Sequence, residues 1–258
     1  MSVMLILILF SETINSMEEA NLDMNLFTFS QADSVFAKMR EKTKLKKLSV
    51  KYNALSMVNP FILAECFTRL KELELNNTYV TSTQVQALFH AMGRQSNLVK
   101  LTLVEILVAD VSAELFAHCA HKLEYLKLTN QNTSCLTQQQ LAALFSQAQQ
   151  LSQLRQIILQ AVDLSFLPPQ LFASCVGGRE KVYISNCPVT GEQVKAALEL
   201  IGKETKLNEL YLDIVNNSND DDDAIAARAA EVNNRKHRIK IFIKVNTKTL
   251  FDNQHLSI

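Results

Sequence analysis

One short leucine phrase returns along the sequence and limits its possible folds more than any other feature. The phrase reads L-x-x-L-x-L, then two residues, then a polar one, and its cleanest copy runs from Leu45 to Asn53. Copies start at residues 17, 45, 70, 98, 123, 154, 179, 207 and 238, at steps of 25 to 31 residues. Because a recurring period of this length is typical of stacked repeats, the chain is predicted to be an α/β solenoid.

The phrase itself predicts a short strand with one buried face. Its L-x-L centre alternates with period two, and each step leaves room for a helix that returns the chain to the next parallel strand. The polar residue that ends the phrase is expected to satisfy backbone groups where the chain leaves the sheet. Side chains suited to this role are Asn25, Asn53, Thr78 and Gln131, whereas the copy that starts at Arg179 is damaged.

A second, longer period predicts where the helices begin. Thr-x-x-Gln recurs at Thr28, Thr81, Thr137 and Thr190, at intervals of 53, 56 and 53 residues. Each copy has the form of a capping box, in which Thr and Gln satisfy each other's backbone N–H groups. A bulky apolar residue follows in register each time, at Phe36, Phe89, Phe145 and Leu198. Long and short repeats are therefore expected to alternate.

The cysteines fit the same scheme. Cys66, Cys119 and Cys175 all lie four residues before the next phrase, which predicts buried packing positions on the short helices. An odd total of five widely spaced cysteines is a poor disulfide framework, so reduced thiols are expected.

These phrases resemble leucine-rich repeats, and their length and helical return resemble the ribonuclease-inhibitor-like intracellular subclass found in F-box adaptors and innate-immune receptors. The resemblance implies a right-handed horseshoe arc with parallel strands on its concave face and helices on its convex face. It divides the chain into residues 1–16, a cap or leader; residues 17–237, the repeats; and residues 238–258, a terminal strand and a loose tail. No F-box or nucleotide-binding module is recognised, so the resemblance implies a binding module.

Composition and motifs argue against several other functions. Lys+Arg and Asp+Glu are both 26, which argues against a partner bound through nucleic-acid phosphates. No catalytic signature appears, so neither enzyme activity nor a cofactor is expected. His118 and His121 are interpreted as surface residues near a helix end, and residues 216–223 as a solvated acidic loop, so no metal site is expected.

The N-terminal segment and the thiols bear on the compartment. No apolar run reaches the length of a membrane span. Met1–Phe10 is interpreted as a buried first element of a cytoplasmic protein, with a signal peptide as the alternative.

The outward positions of the strands predict the function. They carry tyrosines and charges of both signs, a mixture that suits a folded protein partner. Tyr125, Tyr183 and Tyr211 are expected to form one stripe. The predicted contact residues are Lys47, Tyr52, Glu74, Tyr125, Lys127, Tyr183 and Tyr211.

The predicted function is therefore non-catalytic binding of a protein partner on the concave face. Two alternatives stay open. The chain could be the substrate-recognition subunit of a ubiquitin ligase or immune-receptor assembly whose effector lies on another chain, or a secreted recognition protein.

Overall fold

The computed structural model groups the chain into two compact units, residues 1–119 and residues 120–258. The boundary falls within one helix, Ala113–His121. The structure describes residues 17–22, 29–41, 44–51, 55–130, 135–146, 153–201, 206–215, 222–235, 239–245 and 248–252.

The first unit alternates parallel strands with helices. Its elements are β1 (Glu19–Asn21), α1 (Phe29–Glu41), β2 (Lys47–Lys51), α2 (Pro60–Arg69), β3 (Glu72–Asn76), α3 (Ser82–Arg94), β4 (Lys100–Val104) and most of α4 (Ala113–His121). The four strands pair in chain order and all are parallel. Each strand is therefore followed by a helical return, as the repeat length predicts.

The second unit continues the same alternation and ends in a hairpin. Its elements are β5 (Tyr125–Thr129), α5 (Gln138–Ser146), β6 (Gln156–Gln160), α6 (Pro169–Gly177), β7 (Lys181–Pro188), α7 (Gly191–Ile201), β8 (Glu209–Val215), α8 (Asp222–Arg235), β9 (Lys240–Val245) and β10 (Lys248–Asp252). Strands β5 to β9 pair in parallel, and β10 is antiparallel to β9.

The leucine phrases predicted the strands well. Each of β1 to β9 begins two residues after a predicted phrase start, and the phrase leucines are buried, as Leu73, Leu75 and Leu101 show. The expectation of a loose tail is wrong for residues 248–252, which form β10. Only two residues separate β10 from β9, so an antiparallel hairpin pairs the edge of the last parallel strand.

Three of the four capping boxes are confirmed, and Thr28 lies outside the described residues. Gln84 N–H donates to Thr81 Oγ1 at 3.3 Å, and Thr81 N–H donates back to Gln84 Oε1 at 2.8 Å. The same reciprocal pair forms at Thr137 and at Thr190. These helices therefore begin where the sequence placed their caps.

The capping glutamines also bind the preceding repeat. Gln193 is fully buried, and its Nε2 donates to the carbonyls of Leu164 and Leu167 at 2.8 and 2.6 Å. Gln84 donates to two carbonyls of the segment after β2 in the same way, at 2.6 Å each. In both cases the glutamine belongs to a long repeat and the carbonyls to the short repeat before it.

Aromatic pairs join each of three long repeats to the short repeat that follows. Phe36 meets Phe67 edge-on, with ring centroids 5.9 Å apart. Tilted and stacked pairs join α3 to α4 and α5 to α6, with centroids 5.6 and 6.3 Å apart. In the repeat that starts at residue 70, the glutamine hydrogen bonds and the aromatic contact thus serve opposite sides.

The cysteine predictions hold for burial. Cys66, Cys119 and Cys175 are buried in α2, α4 and α6, and all five thiols are free. Burial raises the pKa of the Cys66 thiol to about 12 and that of the Cys175 thiol to about 11. Both thiols are therefore neutral at physiological pH, which makes them poor nucleophiles.

Among the described residues, those that end the phrases do not satisfy backbone groups in the way that the sequence predicts. Thr78 is fully buried, and in the described chain its Oγ1 has no hydrogen-bond partner, so its side chain does not satisfy the backbone as predicted. Cys187, in the damaged copy, takes that role instead. Its Sγ accepts from Val162 N–H at 3.4 Å and lies 3.3 Å from the Ser185 carbonyl. Asn25, Asn53 and Gln131 lie outside the described residues.

Arg179 accounts for the damaged phrase. It stands where other repeats place a leucine, and it is fully buried. Its guanidinium lies beside Cys175 and acts against the burial that raises the pKa of that thiol. The phrase is thus altered in residue type while its position in the core is kept.

Candidate functional site

The outward face of the strands is where the two units differ. Along β2, β3 and β6, buried and half-exposed residues alternate, so each strand presents every second side chain outward. Parallel pairing sets these side chains beside their counterparts on the next strand, in rows that run across the strands. The composition of each row can therefore be read from the register.

In the first unit these rows are ladders of ion pairs. Lys47 Nζ lies 2.8 Å from a carboxylate oxygen of Glu19 and 3.9 Å from one of Glu72, which also pairs with Lys100 at 3.1 Å. The hydrogen bond and charge of Glu19 raise the pKa of Lys47. In the next rows, Glu74 pairs with Lys51 at 3.3 Å. The predicted contacts Lys47 and Glu74 thus already bind neighbouring strands.

The second unit carries an apolar row in place of such a ladder. Register pairs Ile158 with Tyr183, Tyr183 with Tyr211, and Tyr211 with Phe242, on β6 to β9. The rings of Tyr183 and Tyr211 stack at 6.1 Å, and those of Tyr211 and Phe242 at 4.6 Å with planes 6° apart. All four side chains are half-exposed. We call Ile158, Tyr183, Tyr211 and Phe242 the aromatic row; Lys127 on β5 lies at its end, beside Ile158.

Charged pairs lie on both sides of the aromatic row. Lys181 Nζ lies 3.1 Å from a carboxylate oxygen of Glu209, and Lys244 Nζ lies 3.3 Å from one of Asp213. The apolar strip is therefore one residue wide and has polar borders. Such a strip with a polar rim has the anatomy of a small protein-contact surface.

Glu209 fixes the phenol of Tyr183. Burial, followed by the hydrogen bond from its hydroxyl to Glu209, raises the pKa of Tyr183 well above its usual range. Burial alone would raise the pKa of Glu209 as well, but hydrogen bonds from Tyr183 and Lys181 and the charges of Lys181 and Lys240 hold it below its usual value. The ring of Tyr183 is thus held both by its stack and by its hydroxyl.

The structure separates the predicted tyrosines. Tyr125 does not share a row with Tyr183 and Tyr211: it pairs with Gln156, in the row that also contains Lys181. The single-stripe prediction is wrong for Tyr125 because it stands two residues after its phrase start, whereas Tyr183 and Tyr211 stand four after theirs. Tyr52 lies outside the described residues.

Two members of the aromatic row are not among the contact residues predicted from the sequence. Ile158 and Phe242 stand four residues after the phrase starts at 154 and 238, the same offset as Tyr183 and Tyr211. Comparing residues at one offset, rather than selecting tyrosines, finds all four. Lys127 has this offset too, which explains its position at the end of the row.

Other exposed apolar side chains lie off the sheet face. In the first unit Phe61 is 75% exposed, and Tyr79 is 74% exposed after β3. Tyr79 also has a positive φ of 47°, which is uncommon for a bulky residue. Neither stacks on another ring in the described chain. They therefore provide exposed aromatic side chains outside the aromatic row.

A recess lies where the strands of the second unit begin. It has a volume of about 560 Å³, and Glu124, Arg155, Glu180 and Lys206 are among the residues that line it. Arg155 and Glu180 approach within 3.8 Å. Because the two signs balance, the recess does not favour a ligand of either charge.

The two histidines lie on α4, and the acidic segment ends in the first turn of α8. His118 is exposed, whereas His121, predicted at the surface, is buried because it faces the core side of α4. Within the described ranges, no three His, Cys, Asp or Glu side chains are placed to hold a metal ion. Asp222 and Asp223 form the first turn of α8, and the rest of the acidic segment 216–223 lies outside the described residues.

No helix in the part of the chain that the structure describes is both long enough and apolar enough to cross a membrane.

Comparison with known proteins gives a structural match alone. No family model and no curated protein match the sequence. Among the matching solved structures is a crystal structure of a Bacteroides fragilis protein from the Northeast Structural Genomics Consortium. It shares 14% identity with a TM-score of 0.53, over 91% of this chain and 66% of the other. This chain is therefore similar in fold to that protein and spans about two thirds of its length.

Proposed function

We propose that the chain is a leucine-rich repeat protein of the ribonuclease-inhibitor-like class and that it binds a protein partner without catalysing a reaction. The phrase positions, the parallel strands and the helical returns support the class. The aromatic row is the observation that carries the function, because it places four large apolar side chains in register on an outward face.

The chemistry of this row suits a protein interface. Tyrosine combines a large apolar ring with a polar tip, and aromatic residues are enriched among those that dominate binding energy. Tyr183 and Tyr211 are held in place by stacking, so little side-chain freedom is lost when a partner binds. The first unit supports binding less, because its outward charges pair with one another.

The state of the cysteine thiols supports a cytoplasmic location. All five cysteines are free and buried, which favours a reducing environment. We therefore place the protein in the cytoplasm as part of this proposal.

Affinity purification with quantitative mass spectrometry tests the function. Tagged wild type is compared with the double variant Tyr183→Ala/Tyr211→Ala, and the melting of each is recorded. Two controls lie off the sheet face: Tyr79→Ala removes an exposed tyrosine, and Gln138→Ala changes an exposed position on α5. We expect one or more proteins to be captured by wild type and both controls and lost with the double variant. Capture that survives in the folded double variant would overturn the proposal.

A further inference from the structure

The borders of the aromatic row carry an excess of positive charge. The outward acidic residues Glu209 and Asp213 each already bind a lysine. Lys127 and Lys240 form no ion pair within the described residues, although Lys240 contributes to the field at Glu209. They stand on the outermost parallel strands of the second unit, Lys127 on β5 and Lys240 on β9. A partner along this row thus meets an available cation near each end.

The spacing along the row distinguishes between partner conformations. Adjacent strands lie about 4.8 Å apart, so the five positions from β5 to β9 span about 19 Å. Side chains on one face of an extended peptide repeat at about 6.7 Å, which falls out of step with the row. One turn of an α-helix rises about 5.4 Å. The ring separations of 6.1 and 4.6 Å lie on either side of that value.

The width of the row also favours a helical partner. The strip is one residue wide, with charged pairs on both sides. An amphipathic helix presents a narrow apolar stripe with polar flanks, which can match this pattern. About 13 residues of helix would cover the 19 Å.

We infer that the aromatic row binds an amphipathic α-helix of a protein partner, laid across the strands, with acidic residues near both ends of its apolar stripe. The inference rests on the proposed function and specifies the partner's chemistry. Residues of the helix at i, i+4 and i+7 contact Tyr183, Tyr211 and Phe242, and its acidic residues face Lys127 and Lys240.

Peptide selection tests this occupant and does not require the partner itself. A phage-displayed library of random 16-residue peptides is selected on wild type at low salt and depleted on the variant Lys127→Glu/Tyr211→Ala. Selected peptides are synthesised, and their affinities are measured by fluorescence anisotropy. We expect helix-forming sequences with apolar residues at i, i+3 or i+4, and i+7, and with Asp or Glu near both ends.

Single variants then separate the two contributions. We expect Tyr211→Ala to weaken these peptides by about tenfold or more. Lys127→Glu should weaken them by roughly three- to tenfold, with recovery when the facing acidic residue of the peptide is changed to Lys. Tyr79→Ala should leave the affinity unchanged. Because Lys127 is an outward surface residue, this charge test does not depend on the stability of Tyr211→Ala.

Several outcomes would overturn the inference. If the selected peptides depend on the row but are basic or rich in Pro, the occupant is not the inferred amphipathic helix. The proposed function is then unaffected. Failure to select any peptide that depends on the row would overturn the inference as well. The inference would also be overturned if the protein alone sediments as a dimer that depends on Tyr211, because the occupant of the row would then be a second copy. The proposed function fails separately, if cellular partners are captured equally by the folded row variant.

Discussion

The ring of Tyr211 lies 4.6 Å from that of Phe242, almost parallel to it, while its other neighbour in the row is Tyr183. Truncation of Tyr211 therefore removes two stacks at once. Aromatic pairs contribute about 0.5–1.5 kcal/mol each beyond the area they bury. We expect Tyr211→Ala to lower the free energy of unfolding by about 1–3 kcal/mol, whereas a surface substitution without such contacts changes it by about 0.5 kcal/mol or less.

Denaturant unfolding measures this difference. Tyr211→Phe keeps both stacks and is expected to stay within about 0.5 kcal/mol of wild type, as is the exposed control Tyr79→Ala. Equal stabilities for Tyr211→Ala and Tyr211→Phe would show that the stack contributes nothing to the fold.

The lowered pKa of Glu209 predicts a pH-dependent stability. Because its pKa is lower in the folded state than in the unfolded chain, its contribution is complete above the unfolded pKa of about 4.3. The contribution is lost as the pH falls through the folded pKa. We expect Glu209→Gln to unfold at a lower urea concentration than wild type at pH 7, with the gap closing as the pH approaches 3.

Tyr183→Phe provides the matched variant for this measurement, because it removes one donor to Glu209 and keeps the ring. It should shift the urea midpoint in the same direction by a smaller amount. A gap between wild type and Glu209→Gln that widens toward pH 3 would contradict the assignment.

Buried thiols should resist labelling in the native protein. We expect Cys66, Cys119 and Cys175 to be reduced and to react with a disulfide reagent at pH 8 only after denaturant is added, because burial shields all three thiols from the reagent. Absorbance of the released thiolate measures the reaction. Rapid native labelling of all three, or a disulfide between any two, would disprove the packing role.

Gln193 should contribute more to stability than Thr190, its partner in the capping box. Thr190→Ala removes one cap hydrogen bond, at a cost of about 1 kcal/mol. Gln193→Ala removes the return bond and also leaves the carbonyls of Leu164 and Leu167 without this donor, at a cost of about 2–4 kcal/mol. Chemical denaturation compares the two with Glu192→Ala, an exposed change one residue before Gln193. A smaller effect for Gln193→Ala than for Thr190→Ala would contradict the structure.

Adjacent residues on β5 test the strand register. Leu126 is 1% exposed, and Leu126→Asp would bury an unpaired charge at a cost of several kcal/mol against a total stability of about 5–15 kcal/mol. We expect loss of the soluble folded form. Lys127→Asp places the same charge one residue further on, on the outward face, and should change the melting temperature by only a few degrees. Similar melting temperatures for the two variants would show that the register assigned to β5 is wrong.

The sequence predicted the strands well because leucine spacing directly reports which side chains are buried. It predicted three helix starts for a similar reason, since a capping box is a local hydrogen-bonding device. β10 carries no leucine phrase, so only its pairing with β9 reveals it. Cys187 was missed as a backbone partner because its neighbour Val162 lies 25 residues away in the chain.

The candidate site was harder to predict because it depends on register between strands. Lys47 is an outward residue by its position in the phrase, but strand pairing places Glu19 and Glu72 beside it. Tyr125 was grouped with Tyr183 by residue type although its offset differs. Ile158 was overlooked for the same reason. Position within the repeat, compared across repeats, carries the information that residue type alone lacks.

The two kinds of junction between repeats limit how such a chain can change its length. The long repeat that starts at residue 70 meets the short repeat before it through the buried Gln84, and the short repeat after it through the pair Phe89 and Phe116. Loss of a single repeat would place two surfaces of unlike chemistry against each other. Loss or duplication of two consecutive repeats would rejoin like with like. Deletions and insertions of about 53–56 residues should therefore be tolerated far better than those of 25 or 28, which makes a pair of repeats the natural unit for shortening or lengthening the chain.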